Sequence, residues 1–356
     1  MRIVHTSDLH IDSPLSAHLT EEKAAERRRE LLYNFERLIN RAREIGAQII
    51  IIAGDLFDDE RVTKRAKDTV LATVERARDI VFLYLPGNHE RDALLNERLP
   101  SNLHVFGKDW TYFENSEFFF AGRSECESGM FKTLRLSDNK KNIVILHGEE
   151  AVHSDRNGKI GLSETIGLNI DYLALGHYHR YSKKVLGGCS IVYSGAPEGR
   201  GFDELGEKGF SLIEHKNGVI RDGFVKFAKR RLHALRADIS SAKSTSEVTD
   251  IAERTLEGIP YDDIVRLTLV GRCSPTLTKN TDGIARRFSE AFYYFELRDE
   301  SRASIDTERY RFDKSLKGEF IRLVSSDSSL SDEEKEKIIV TGLYALEGDV
   351  SEGAPI

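Results

Sequence analysis

The feature that most constrains this chain is one event repeated five times: a short apolar run ends on a cluster of carboxylate, amide or imidazole side chains. The clusters are Asp8-Leu9-His10, Gly54-Asp55, Gly87-Asn88-His89-Glu90, His147-Gly148 and Gly176-His177-Tyr178-His179. The runs before them read as buried strands; the one at 49–52 is four isoleucines. Carboxylate oxygens and imidazole nitrogens brought together at strand ends suit a pair of divalent metal ions. Asp8 and His10 sit two apart, as do His177 and His179, so each pair can face one side of an extended segment. A bridge between two cations is best made by a carboxylate, which has two oxygens and a negative charge. Asp55, on the tight turn at Gly54, is the candidate.

Periodicity supplies the frame around these clusters. A strand at 3–6 is followed by a helix whose apolar face runs from Leu31 to Ile45 and stops at Gly46. A strand at 49–52, a charged helix at 62–78 and a strand at 81–85 complete a βαβαβ order. Short strands separated by turns follow at 118–120, 143–146, 172–175, 191–193 and 210–213, which implies a second sheet facing the first. The expected fold class is α/β, a two-sheet β-sandwich flanked by helices. Near residue 225 the pattern resets into a smaller α/β unit, with strands at 232–239, 264–270 and 293–297 and helices at 245–256 and 284–292. Two tail helices follow, one at 313–324 and one opened by a Ser331/Glu334 capping box. The expected division is therefore 1–225, 226–312 and a helical, acidic tail at 313–356.

Composition excludes some classes. No apolar run approaches the roughly 20 residues of a membrane-spanning helix. Cys126, Cys189 and Cys273 are scattered and odd in number, which fits a reducing compartment. The chain enters its first strand at once, with no leader pattern, so a cytoplasmic protein is expected. Between residues 326 and 356 acids outnumber lysines eight to two, so the tail carries most of the net charge of −7. The body is thus near neutral and does not advertise nucleic-acid binding by charge. The basic run at 221–236 reads equally well as a phosphate-contacting rim or as a solvated strand edge.

The five clusters, in this order, resemble the calcineurin-like metallophosphoesterase superfamily over residues 1 to about 225. The resemblance implies hydrolysis of phosphate esters with two divalent metal ions. It gives one ion to Asp8, His10, Asp55 and His179, and the other to Asp55, Asn88, His147 and His177. It makes His89 the group that protonates or polarises the leaving oxygen. It pairs Asp58 with His89 to orient the imidazole. Manganese is favoured, with iron or zinc as alternatives.

Three features resemble the SbcD branch of DNA-repair nucleases and its YhaO-type relatives. They are the opening Ile-Val-His-Thr-Ser-Asp-Leu-His, the Gly-Asp-Leu-Phe-Asp block, and Tyr193-Ser194-Gly195-Ala196-Pro197-Glu198 followed by Arg200 and Phe202. The C-terminal α/β unit is placed like that branch's capping domain. This likeness implies a DNA exonuclease or single-strand endonuclease of double-strand-break repair, with Arg200 at the substrate. Its partner would be an SbcC-type coiled-coil ABC ATPase docked by the tail. A homodimer through the helices at 21–45 and 62–78 stays open. The alternative is a small-molecule or cyclic-nucleotide phosphodiesterase or phosphatase of the same superfamily. A non-catalytic scaffold is disfavoured, because every ligand position is filled.

Overall fold

The computed structural model describes residues 1–347 apart from 16–19, 60–61, 91–92, 95, 154–158, 276 and 306. The last acids of the tail, at 349 and 352, lie outside the described residues. The chain divides into two compact units, Met1–Arg231 and Leu232–Ile356.

The first unit opens with β1 (Arg2–Thr6), α1 (Glu21–Glu44), β2 (Ile49–Ala53), α2 (Lys64–Arg76), β3 (Val81–Leu85) and β4 (Leu103–Val105). It continues with β5 (Thr111–Glu114), β6 (Phe118–Gly122), β7 (Lys141–His147) and the short parallel pair β8 (Glu150–Ala151) and β9 (Ile160–Gly161). It ends with β10 (Tyr172–Gly176), β11 (Ser182–Leu186), β12 (Cys189–Tyr193), β13 (Gly209–Lys216) and β14 (Val219–Lys226). One sheet has the order β14-β13-β1-β2-β3-β4 and the other β11-β12-β10-β7-β6-β5. The central strands are parallel in both, so their carboxyl ends lie along one edge.

Side-chain alternation explains why these strands are apolar throughout. Ile49, Ile51 and Ala53 of β2 point into the space between the sheets, against Phe118, Phe120, Ile143 and Ile145. Ile50 and Ile52 point the other way, under Phe35, Leu38 and Ile39 of α1 and Val70 and Val74 of α2. Both faces of the strand are therefore buried, and no polar residue is tolerated until the strand ends. The second sheet's outer face is covered in part by shorter elements. Met130, Phe131 and Leu162, on short 3₁₀ turns at Met130–Thr133 and Leu162–Thr165, lie over Val144, Leu146 and Leu173.

The basic run at 221–236 is largely neutralised by acids of its own unit. Lys226 and Arg231 each lie 3.1 Å from Glu207, and Arg230 lies 2.7 Å from Glu30. Glu198 is buried and accepts from Asn34 Nδ2 (2.8 Å), the Lys229 amide (2.7 Å) and the Arg230 amide (3.1 Å), with Arg27 at 3.4 Å. These contacts fasten the end of the unit onto α1, and they favour a structural role for the run.

The second unit has β15 (Leu232–Asp238), α3 (Thr245–Leu256), β16 (Ile264–Val270), β17 (Arg272–Cys273), α4 (Thr281–Ala291), β18 (Tyr294–Asp299) and β19 (Arg302–Ala303). Its main sheet is parallel, in the order β15-β16-β18, with α3 and α4 packed through Val248, Ala252, Ile284 and Phe288. The tail forms α5 (Leu316–Ser326) and α6 (Asp332–Glu347). The capping box is formed: the Glu334 amide donates to Ser331 Oγ at 3.3 Å and the Ser331 amide to Glu334 Oε2 at 2.8 Å. The seam between the two helices is Ile321 and Val324 against Ile339 and Leu343. Leu316 and Leu323 lie away from that seam and are 72% and 71% exposed.

Candidate metal centre

The site lies where β1, β2, β3, β7 and β10 end, and the backbone there is bent to converge. After β1 the chain runs alongside the segment after β2: the Asp8 amide donates to the Gly54 carbonyl, His10 to Asp55 and Ile11 to Leu56, all within 3.0 Å. Asp8, His10, Asp55 and His177 have φ of 54°, 46°, 51° and 106°. Left-handed conformations cost a non-glycine residue about 1–3 kcal/mol each, and such strain collects at functional sites.

Close approach adds a second constraint. A Cβ on Gly176 would fall 1.9 Å from the Ala53 carbonyl oxygen, and one on Gly87 would fall 2.0 Å from Asp55 Oδ1. Glu90 holds the turn after β2 from beneath. Its carboxyl is buried, takes the Leu56 amide at 2.7 Å and also takes the Phe57 amide. Burial, with the Asp55 charge beside it, pushes Glu90 up to about 8.

Two clusters of ligand atoms result, each with its atoms within 4.8 Å of one another: Asp8 with His10 and His179, and Asp8 with Asp55 and His147. Asp55 Oδ2 stands 3.3 Å from His147 Nε2 and 3.8 Å from His10 Nε2, so it faces both clusters. Asp8 also belongs to both, a placement that sequence reading does not anticipate. Asn88 Oδ1 is 2.9 Å from His147 Nε2. The His177 ring stands edge-on to His147 at 5.5 Å, outside both clusters. Its backbone amide donates to Asp8 at 3.1 Å. His89 is exposed at the rim, its ring 5.5 Å from that of His10.

The donor set fits cations. His147 Nδ1 lies 2.9 Å from the Ala53 carbonyl, which takes the ring proton there and leaves the Nε2 lone pair toward the oxygens of Asn88 and Asp55. Burial works against charge on this ring, yet its contact with the Asp55 carboxylate pushes His147 up to about 9, so without an ion Nε2 keeps a proton for those oxygens and a bound cation would take that proton's place. Asp55 moves the opposite way, down to about 2: burial opposes the shift and His147 outweighs it. His10 Nε2 and His179 Nε2 face each other at 3.2 Å, while their Nδ1 atoms lie 2.9 Å from Asp58 and 2.8 Å from Glu204. A cation held between the two Nε2 atoms would replace the proton that one ring otherwise donates to the other.

One expectation is corrected here. Asp58 is not paired with His89. Its Oδ1 lies 2.9 Å from His10 Nδ1 and 2.6 Å from Arg200 Nη1, because the turn after β2 runs beside the His10 segment. Arg200, expected at the substrate, has its guanidinium engaged by Asp58 and by Glu204, whose Oε1 is 2.9 Å from Nε. Glu204 escapes sequence reading altogether. It has no motif, and it reaches His179 only through the loop between β12 and β13.

This fold and donor set define a dinuclear-type phosphoester hydrolase. Residues 1–181 match the calcineurin-like phosphoesterase family model, and the chain belongs to that family of metal-dependent hydrolases. It is 26% identical over 326 residues to the uncharacterized metallophosphoesterase YhaO of Bacillus subtilis, covering 84% of this chain and 79% of the relative. It is 24% identical to the D component of the nuclease SbcCD of Staphylococcus epidermidis, over 67% of this chain and 73% of that one. It is 26% identical to the DNA double-strand break repair protein Mre11 of Haloferax volcanii, over 60% of this chain and 49% of that relative. Among the described residues no helix is long and apolar enough to cross a membrane.

Proposed function

We propose that this chain is a two-metal DNA nuclease, the hydrolytic component of an SbcCD-like complex in the cytoplasm, using manganese. The observation that carries this reading is the kind of relative it matches: two are named as a component of a nuclease and a double-strand-break repair protein. The surface beside the site is compatible with a nucleic-acid strand. A cleft of about 900 Å³ is lined by Arg180, Tyr178 and Tyr181 beside His177 and His179, with Asp203 and Glu204 also on its wall. Cationic groups beside aromatic rings are the usual means of meeting phosphates and bases.

Asp8, His10, Asp55 and His179 would hold one ion, and Asp55, Asn88, His147 and His177 the other. Divalent ions there supply Lewis acidity, which makes a hydroxide available near neutral pH and neutralises charge on the phosphoryl oxygens. The chain's own residues do the rest. Glu90 and the glycine turns hold Asp55 in place. His89, free of the ligand clusters and at the rim, gives a proton to the leaving oxygen.

The small-molecule phosphodiesterase reading is favoured by one fact, the pairing of the basic run with acids of its own unit. A single comparison separates the two. With manganese, the protein is expected to cleave both bis-p-nitrophenyl phosphate and an end-labelled single-stranded oligonucleotide. Turnover of the first alone would remove the nuclease reading.

The tail supports the proposed ATPase partner. Leu316 and Leu323 stand out on one side of α5, away from its seam with α6, and such a face suits a coiled-coil partner. The double variant Leu316→Glu/Leu323→Glu should keep full phosphodiesterase turnover and lose co-elution with an SbcC-type ATPase. Retained co-elution would place the contact elsewhere.

A further inference from the structure

Behind the cleft, His179 is held twice by one short loop. Glu204, only 5% exposed, accepts from the ring at Nδ1 (2.8 Å), and the buried Lys208 donates its ammonium to the His179 carbonyl at 2.6 Å. Glu204 is fixed in turn by the Arg200 amide at 3.1 Å and by the Arg200 guanidinium. From Arg200 the chain of contacts passes to Asp58 and ends at His10 Nδ1. A continuous arc of contacts, His179–Glu204–Arg200–Asp58–His10, with the guanidinium between two carboxylates, therefore backs the two imidazoles whose Nε2 atoms face each other.

We propose that Glu204 is a positioning residue for the cation shared by His10 and His179, and that Arg200 keeps the two backing carboxylates, Glu204 and Asp58, in register. The inference rests on the metal reading of the site. A carboxylate at Nδ1 takes the ring proton there, directs the lone pair at Nε2 toward the ion and makes that nitrogen a stronger donor. Loss of such a partner weakens metal binding by about 10- to 100-fold. Glu204 does not reach the other cluster. His147 is held at Nδ1 by a backbone carbonyl instead, so the effect should fall on one ion of the two.

The test is calorimetric titration of Mn²⁺ into metal-free full-length protein, for the wild type, Glu204→Gln and Glu204→Ala. Circular-dichroism melts confirm folding. The wild type should take up two ions. Glu204→Ala should bind one ion about 10- to 100-fold more weakly and the other unchanged. Glu204→Gln, which keeps an acceptor at the same place, should recover part of the loss. It also carries the test should the alanine variant fail to fold. Two unchanged affinities in a folded variant, or equal weakening of both, would overturn the role of Glu204 and leave the metal centre standing. A wild-type protein that takes up no Mn²⁺ would overturn both.

Discussion

Gly87→Ala should lose at least about 100-fold in kcat/KM together with tight binding of one metal ion. The cause is steric and local. The new methyl carbon would sit 2.0 Å from Asp55 Oδ1 and 2.5 Å from the Asp55 amide nitrogen, closer than real side chains approach. Asp55 cannot yield easily, because its turn is clamped from the other side by Glu90 through the Leu56 and Phe57 amides. The carboxylate that faces both clusters must therefore tilt, and displacements of about 1 Å in a reacting constellation cost about two orders of magnitude. Gly107→Ala is the control. A Cβ there meets Thr111 at 3.6 Å, an ordinary contact, and activity should be unchanged. Wild-type turnover in Gly87→Ala would show that Asp55 is not confined as described.

His89→Asn should lower kcat by about 10²- to 10⁴-fold, the usual size of a general-acid contribution, while bound metal stays at the wild-type level. The two readouts must be taken together. His89 is exposed at the rim, its ring centroid 5.5 Å from that of His10, and it belongs to neither ligand cluster. Its removal should therefore cost proton transfer and leave the ions in place. A substrate whose leaving group needs no proton, such as bis-p-nitrophenyl phosphate, should be hit less than DNA. Loss of metal in this variant would make His89 a ligand.

How far the residues alone can reach depends on the range of each contact. The strands and the clusters at their ends are legible because both signals are local. Full burial forces an unbroken apolar run such as 49–52, and the first polar residue after it faces the site edge. A helix N-terminus is legible for the same reason at Ser331, whose hydroxyl accepts from the Glu334 amide. Contacts between loops are not legible. Glu204 lies 25 residues from His179 on a segment without motif or period, and only the folded β12–β13 loop brings it to Nδ1. Likeness makes Asp58 a partner of His89, but it lies 2.9 Å from His10, because the turn after β2 runs beside the segment after β1. Spacing places Asp8 and His10 on one side, and the family likeness gives both to one ion. That Asp8 also faces His147 is a matter of how two sheets meet. On α5, Leu316, Phe320 and Leu323 form as good a stripe as Ile321 and Val324. Which stripe is buried is settled by α6, not by α5 itself.

The proposed metal centre puts the Asp55 carboxylate between two cations, one that would be served by Asp8, His10 and His179 and the other by Asn88, His147 and His177. Anomalous diffraction from crystals equilibrated with Mn²⁺ addresses it directly. Two peaks flanking the Asp55 carboxylate, one against His10 and His179 and one against His147, are the expected result. No peak beside Asp55, or a single one in contact with only one of the two histidine groups at saturating metal, would contradict it.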